Sequence, residues 1–169
     1  QGEAAPGAAV GFAFLDFSTG EFGLGERPAR EVFDVVGRYA PREVFLPRAA
    51  LGTATERELR RRFEGLAVSF LEDASFTPRL AGEALTRHFG VLSLEGLGCA
   101  EFPAGVAAAG ALLDCGTRLK QGRLQAVTRL QVVRESEELI LDDETLANLE
   151  IFRPLRGVDP GVTLVHHLD

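Results

Sequence analysis

The chain opens with an unbroken apolar run, Ala8-Ala-Val-Gly-Phe-Ala-Phe-Leu-Asp-Phe17, which predicts a strand covered on both faces. Ser18-Thr19-Gly20 reads as a turn and Glu21 to Leu24 as the returning strand, so the two make a hairpin. Behind Pro28, at a first helical turn, Val32, Phe33, Val35, Val36 and Tyr39 recur at three-to-four spacing; Pro41 ends that amphipathic helix. Glu43 to Leu46, stopped by Pro47, is a short strand. Thr55-x-x-Glu58 reads as a capping box ahead of Leu59, Phe63 and Leu66, and Ala67 to Leu71 as the strand after that helix. Thr77 and Pro78 mark the N-cap and first position of a helix through Ala81, Ala84, Leu85 and Phe89, with Gly90 suited to a left-handed C-cap.

From Pro103 to Leu119 the pattern predicts a central, buried helix of Ala, Gly, Val and Leu. Its Gly105, Gly110 and Gly116 each cost roughly 1 kcal/mol against Ala, a penalty tolerated where backbones approach closely. Around Gly122 the character changes. Leu130 to Val133 and Leu139 to Leu141 predict a second antiparallel pair across the polar turn Glu135 to Glu138, and a helix through Asn148-Leu149-Glu150 begins at Asp142 or Asp143. A domain boundary falls near residue 122. The alternation of strand and helix implies an α/β fold, a mixed sheet with helices on both faces, of the ribonuclease-H-like kind.

Composition narrows the functional classes. With 169 residues, 46% of them hydrophobic and 25% charged, the chain has enough apolar material for a core. Its formal net charge of −7 argues against wrapping nucleic acid unaided, since phosphate binding draws on clustered Lys and Arg. Cys99 and Cys115 lie in small apolar surroundings with no C-x-x-C partner and read as reduced core thiols. No uncharged apolar run approaches the roughly 18–20 residues that a membrane span needs. A cytoplasmic location is expected, and the start at Gln1 and stop at Asp169 suggest a piece of something longer.

Several landmarks occur in a fixed order. They are Phe14-Leu-Asp-Phe-Ser-Thr-Gly-Glu-Phe22, Pro41-Arg-Glu-Val-Phe-Leu-Pro47, Leu85-x-x-x-Phe89-Gly90, Leu94-x-Gly96-x-Gly98 and Ala107-Ala-Ala-Gly-Ala-Leu-Leu113. The last is Leu139-Ile-Leu-Asp-Asp-Glu-Thr-Leu-Ala-Asn-Leu-Glu-Ile151. Together they resemble the connector domain of bacterial MutS mismatch-repair proteins and the line that opens their core region. The resemblance implies a connector domain at residues 1–122 and an incomplete start of the core, or lever, domain at 123–169. It implies a parent that recognises mismatched duplex DNA, binds ATP and Mg, forms a homodimer and recruits a MutL-type partner. This piece would need no cofactor of its own. It would relay conformational change between its neighbouring MutS domains and offer a docking surface. Phe76 and Phe102 lack the setting of the family's mismatch-inserting Phe-x-Glu, and no G-x-x-x-x-G-K-[ST] phosphate loop is present.

The expected docking surface is the polar face of the Pro78–Phe89 helix, Arg79, Glu83, Thr86 and Arg87, with Arg38 and Arg42 nearby. Asp16 gives an alternative, because an Asp at the end of a first strand can hold a divalent metal in a ribonuclease-H-like nuclease; Asp73, and Glu43 with it, would complete a carboxylate cluster. Against this, Asp is a common side-chain cap of a turn, and Asp114 as a third ligand sits mid-helix in an apolar run. Arg60-Arg-Arg62 reads as a solvated helix face among Glu56, Glu58 and Glu64. His166 and His167 lack the i,i+4 spacing of a zinc pair. A stand-alone interaction module is the third reading, and Leu164, Val165 and Leu168 are expected to be exposed and to favour self-association.

Overall fold

The structure is a computed structural model that describes residues 9–119, 123–134, 151–154 and 163–165, the last two stretches as backbone. Strand β1 (Ala9–Leu15) and strand β2 (Phe22–Pro28) form the expected hairpin, in register from Ala9 opposite Pro28 to Leu15 opposite Phe22. Helix α1 (Val32–Tyr39) follows and ends at Ala40, which adopts φ 42°. The ring of Pro41 disfavours the right-handed helical region for the residue before it, so the chain leaves the helix at Ala40.

Strand β3 (Glu43–Pro47), helix α2 (Ala54–Arg62) and strand β4 (Ala67–Leu71) come next, with β3 and β4 parallel. The start of α2 differs from the Thr55-x-x-Glu58 expectation. Thr53 is the N-cap and accepts from the Glu56 N–H, while the Glu56 carboxylate accepts from the Gly52 N–H at 2.6 Å. The same spacing rule applies two residues earlier, because Gly52, at φ +77°, turns the chain there. Glu58 instead faces Arg61 and Arg62.

Helices α3 (Pro78–Phe89) and α4 (Pro103–Leu119) complete the helical layers. Gly90 caps α3 at φ 66° as expected, whereas the Thr77 side chain makes no cap bond. Strand β5 (Gln131–Val133) lies parallel to β2 at one edge. Its expected antiparallel partner, Leu139 to Leu141, and the helix start at Asp142 or Asp143 lie outside the described residues. Strand β6 (Ile151–Pro154) and strand β7 (Thr163–Val165) enter the middle of a seven-stranded sheet of order β4-β3-β7-β6-β1-β2-β5. Ile151 to Pro154 is therefore strand, not the continuation of a helix. β-Branched Ile151 suits a strand, and its segment's pairing with β1 satisfies the backbone groups along that side of β1. Likewise 163–165 pairs between β3 and β6.

Alternation along β1 sets the layers. Phe12 and Phe14 face α1, where the Phe14 and Tyr39 rings stack at 5.2 Å. Gly11 and Leu15 face α4: a Cβ at Gly11 would lie 2.1 Å from the Ala104 carbonyl carbon, so only glycine lets the helix settle there. Residues 104–113 of α4 are buried throughout. They are covered on one side by the sheet and on the other by α3, where a Cβ at Gly110 would meet the Ala81 Cα at 2.3 Å. The close approach inferred from the glycines of this helix is present. Helices lie on both faces of a mixed sheet, as expected for an α/β domain.

Candidate docking surface

Helix α3 is the outermost layer on its side. It rests on α4 and reaches the sheet mainly at its C-terminal turn, where Phe89 stacks on Phe22 at 6.1 Å. Its inner face buries Ala81, Gly82 and Leu85. Its outer face presents Arg79, Glu83 and Arg87 to solvent, with Thr86 half-buried. These four residues thus lie together on one helix, but their chemistry is unequal. Arg79 pairs with Glu83 one turn on, Thr86 donates its hydroxyl to the Gly82 carbonyl at 2.9 Å, and Arg87 has no ion-pair partner among the described residues.

Arg38 is not near this face. It sits on α1, across the sheet from α3, and Arg42 follows it at the start of β3.

The acidic residues of the alternative reading are also separated. The pairings make β6 antiparallel to β1, β7 antiparallel to β6, and β3 antiparallel to β7, so β3 and β4 run opposite to β1. Asp16 therefore follows β1 at one end of the strands, and Asp73 follows β4 at the opposite end. Asp16 is 2% exposed and its Oδ1 accepts from the Ser18 N–H and hydroxyl, both at 2.6 Å, while Oδ2 has no hydrogen-bond partner. That arrangement is a side-chain cap of the hairpin turn. The neighbouring Glu21 carboxyl is pushed above its ordinary range by burial and by the Asp16 charge. Asp73 Oδ1 accepts from the Ala49 N–H at 3.0 Å, Glu43 accepts from the Ser69 hydroxyl, and Asp114 pairs with Arg118 at 2.7 Å. Among the described residues no group of three or more His, Cys, Asp or Glu side chains is placed to hold a metal ion.

Other candidates resolve into packing. Phe76 is buried, and Phe102 lies beneath the Arg134 guanidinium. Arg60, Arg61 and Arg62 pair with Glu56 or Glu58, whose carboxyl is held at about 2 by its hydrogen bonds to Arg61 and Arg62. Burial pushes both cysteine thiols up to about 11, so neither is a ready thiolate. His166 and His167 lie outside the described residues. Sequence reasoning missed His88, whose Nε2 lies 2.8 Å from the Val127 carbonyl and ties α3 to the segment leading into β5. A partner 39 residues away leaves no local signal.

The fold and surface define a layered α/β domain whose outward features are helix faces. The model of MutS domain II matches residues 4–128, and the chain belongs to the MutS family. Among its relatives is the DNA mismatch repair protein MutS of Methanococcoides burtonii, 34% identical over 164 residues that make up 94% of this chain and 18% of that protein. Those of Symbiobacterium thermophilum and Chlorobaculum tepidum are 35% and 31% identical, covering 94% and 95% of the chain and 18% of each relative. The chain thus spans about a fifth of the length of these relatives. No helix among the described residues is long and apolar enough to cross a membrane.

Proposed function

We propose that this segment is the mechanical connector of a longer cytoplasmic mismatch-repair protein, relaying movement between the parent's DNA-holding and ATP-hydrolysing parts and offering α3 as a landing face for a MutL-type partner. The observation that carries the reading is the placement of α3: its inner side is locked to α4 at Ala81 and Gly110, while Arg79, Glu83 and Arg87 stand in solvent. A rigid seat with an exposed charged face suits a surface whose accessibility changes when whole domains rotate. In this reading the connector ends near residue 122 and the core region begins at 123. Mismatched DNA, ATP with Mg, and the second subunit of a homodimer are engaged by the parent, and the segment itself catalyses nothing. Membership of the MutS family favours this reading over a metal-dependent nuclease built on Asp16.

The test is charge reversal at Glu83 and Arg87 in the full-length parent. Capture of the purified MutL-type protein should fall by about tenfold or more, with DNA binding and ATP hydrolysis by the parent unaltered. Capture at the wild-type level would remove α3 from the docking surface.

A further inference from the structure

Beside the charged face of α3, between that helix, α4 and the turn at Asp73–Phe76, runs a groove of about 330 Å³. Ala84 and Gly110 give it a small, apolar lining, and Leu80, 43% exposed, stands at its side. Glu83, Arg87 and Asp114 line it as well. Two of these three charges are already matched, Glu83 by Arg79 and Asp114 by Arg118. Arg87 is the unmatched one among the described residues. The groove therefore holds one guanidinium without a counter-ion among the described residues, on a chain whose formal net charge is −7. With both of its carboxylates held in pairs within their own helices, the groove offers a ligand the Arg87 guanidinium and the exposed Leu80 side chain.

We propose that this groove receives a polypeptide segment of the docking partner that places an aliphatic side chain against Leu80 and Ala84 and a carboxylate on Arg87. The inference rests on the reading of α3 as the docking face and sharpens it in two ways. The apolar trough, rather than the Arg79–Glu83 pair, supplies the contact area, because an ion pair already satisfied within its own helix gains little from a partner. The guanidinium selects the partner's charge, because its planar fork matches a carboxylate through two parallel N–H bonds. A basic segment would place like charge on the guanidinium, the one charged group of the lining not already paired among the described residues.

Site-specific photo-crosslinking tests it. The full-length parent carrying p-benzoylphenylalanine at position 80 is irradiated with the purified MutL-type protein, and association is measured separately by light scattering. The expected product joins position 80 to a partner peptide with Asp or Glu within about one helical turn of the attachment point. Its yield should fall by about tenfold or more in Arg87→Glu and largely persist in Arg87→Lys. The inference is overturned if the partner associates without crosslinking, if the captured peptide is basic or belongs to another part of the parent, or if Arg87→Glu leaves the yield unchanged. In each of those cases measured association leaves the docking role itself standing. Failure of the wild-type parent to associate at all would instead remove both.

Discussion

The two faces of the sheet are packed on different terms. On the α4 side, backbone lies directly on backbone, at Gly11 against Ala104 and at Gly110 against Ala81. On the α1 side, side chains fill the gap: Phe14 stacks on Tyr39, the Arg27 guanidinium lies 5.6 Å from the Phe12 ring centre, and that of Arg62 lies 4.5 Å from Phe33. Close-packed backbone has no rotamers to yield, so under the proposed relay a displacement of α3 is expected to pass into α4 and on to the β1–β2 hairpin. Side chains can re-pack and absorb a change. The first face suits transmission, and the second suits tolerance.

The largest effect expected from this contrast is at Gly110. Gly110→Ala forces a methyl group against the Ala81 backbone and should cost about 1–3 kcal/mol despite the better helix propensity of Ala. Phe33→Leu, on the opposite face, removes a half-buried ring and its Arg62 contact and should cost less, about 0.5–1 kcal/mol for the cation–π part. Urea denaturation of the two variants decides it: equal losses would erase the distinction between the faces.

How much of this was readable beforehand depends on the range of the interactions involved. The glycines of α4 announced close approach because nothing else makes three glycines tolerable in one buried helix. The hairpin, α1, α3 and β4 were legible from periodicity and terminal residues, since each is specified within about ten positions. The cap of α2 was misplaced because Thr53-x-x-Glu56 and Thr55-x-x-Glu58 satisfy the same local rule, and the turn at Gly52 chooses between them. Strand β6 carries no local sign of its place in the sheet, because its partner, β1, lies about 140 positions earlier in the chain. On the candidate site, the polar face of α3 was visible from spacing alone. The groove behind Leu80 and the opposite placement of Asp16 and Asp73 needed the tertiary arrangement.

The middle-sized effect concerns how the close-packed face is fastened. The Glu26 carboxylate on β2 accepts from the N–H groups of Ala104 at 2.7 Å and Gly105 at 3.3 Å, serving as a long-range cap for α4. Burial pushes its carboxyl above the ordinary value of 4.5, and the two N–H groups only partly offset that. A raised folded-state pKa means that the Glu26 contribution to stability is fully present below pH 4.5 and is lost as pH rises through the raised value. Glu26→Ala, which leaves both donors without their acceptor, should cost about 1–2 kcal/mol. Glu26→Gln keeps an acceptor and cannot ionise, so its unfolding midpoint should decline less than that of the wild type between pH 4.5 and neutrality. A parallel decline in the two proteins would mean that burial does not govern this carboxyl.

The smallest effect is local, and it separates the route through α4 from the route through the exit segment. His88 donates from Nε2 to the Val127 carbonyl, and Val127 itself is buried, so α3 is tied to the chain running into β5 as well as to α4. His88→Phe keeps a ring beside Phe89 but removes the donor, at a cost of about 0.5–1.5 kcal/mol. Because β5 is a three-residue edge strand, the loss should appear there first, as faster amide exchange in Gln131–Val133, with exchange in α4 unchanged. Exchange that quickens equally in α4 and β5 would make His88 part of the general core. Unchanged exchange in β5 would leave α4 as the route by which a force on α3 reaches the rest of the chain.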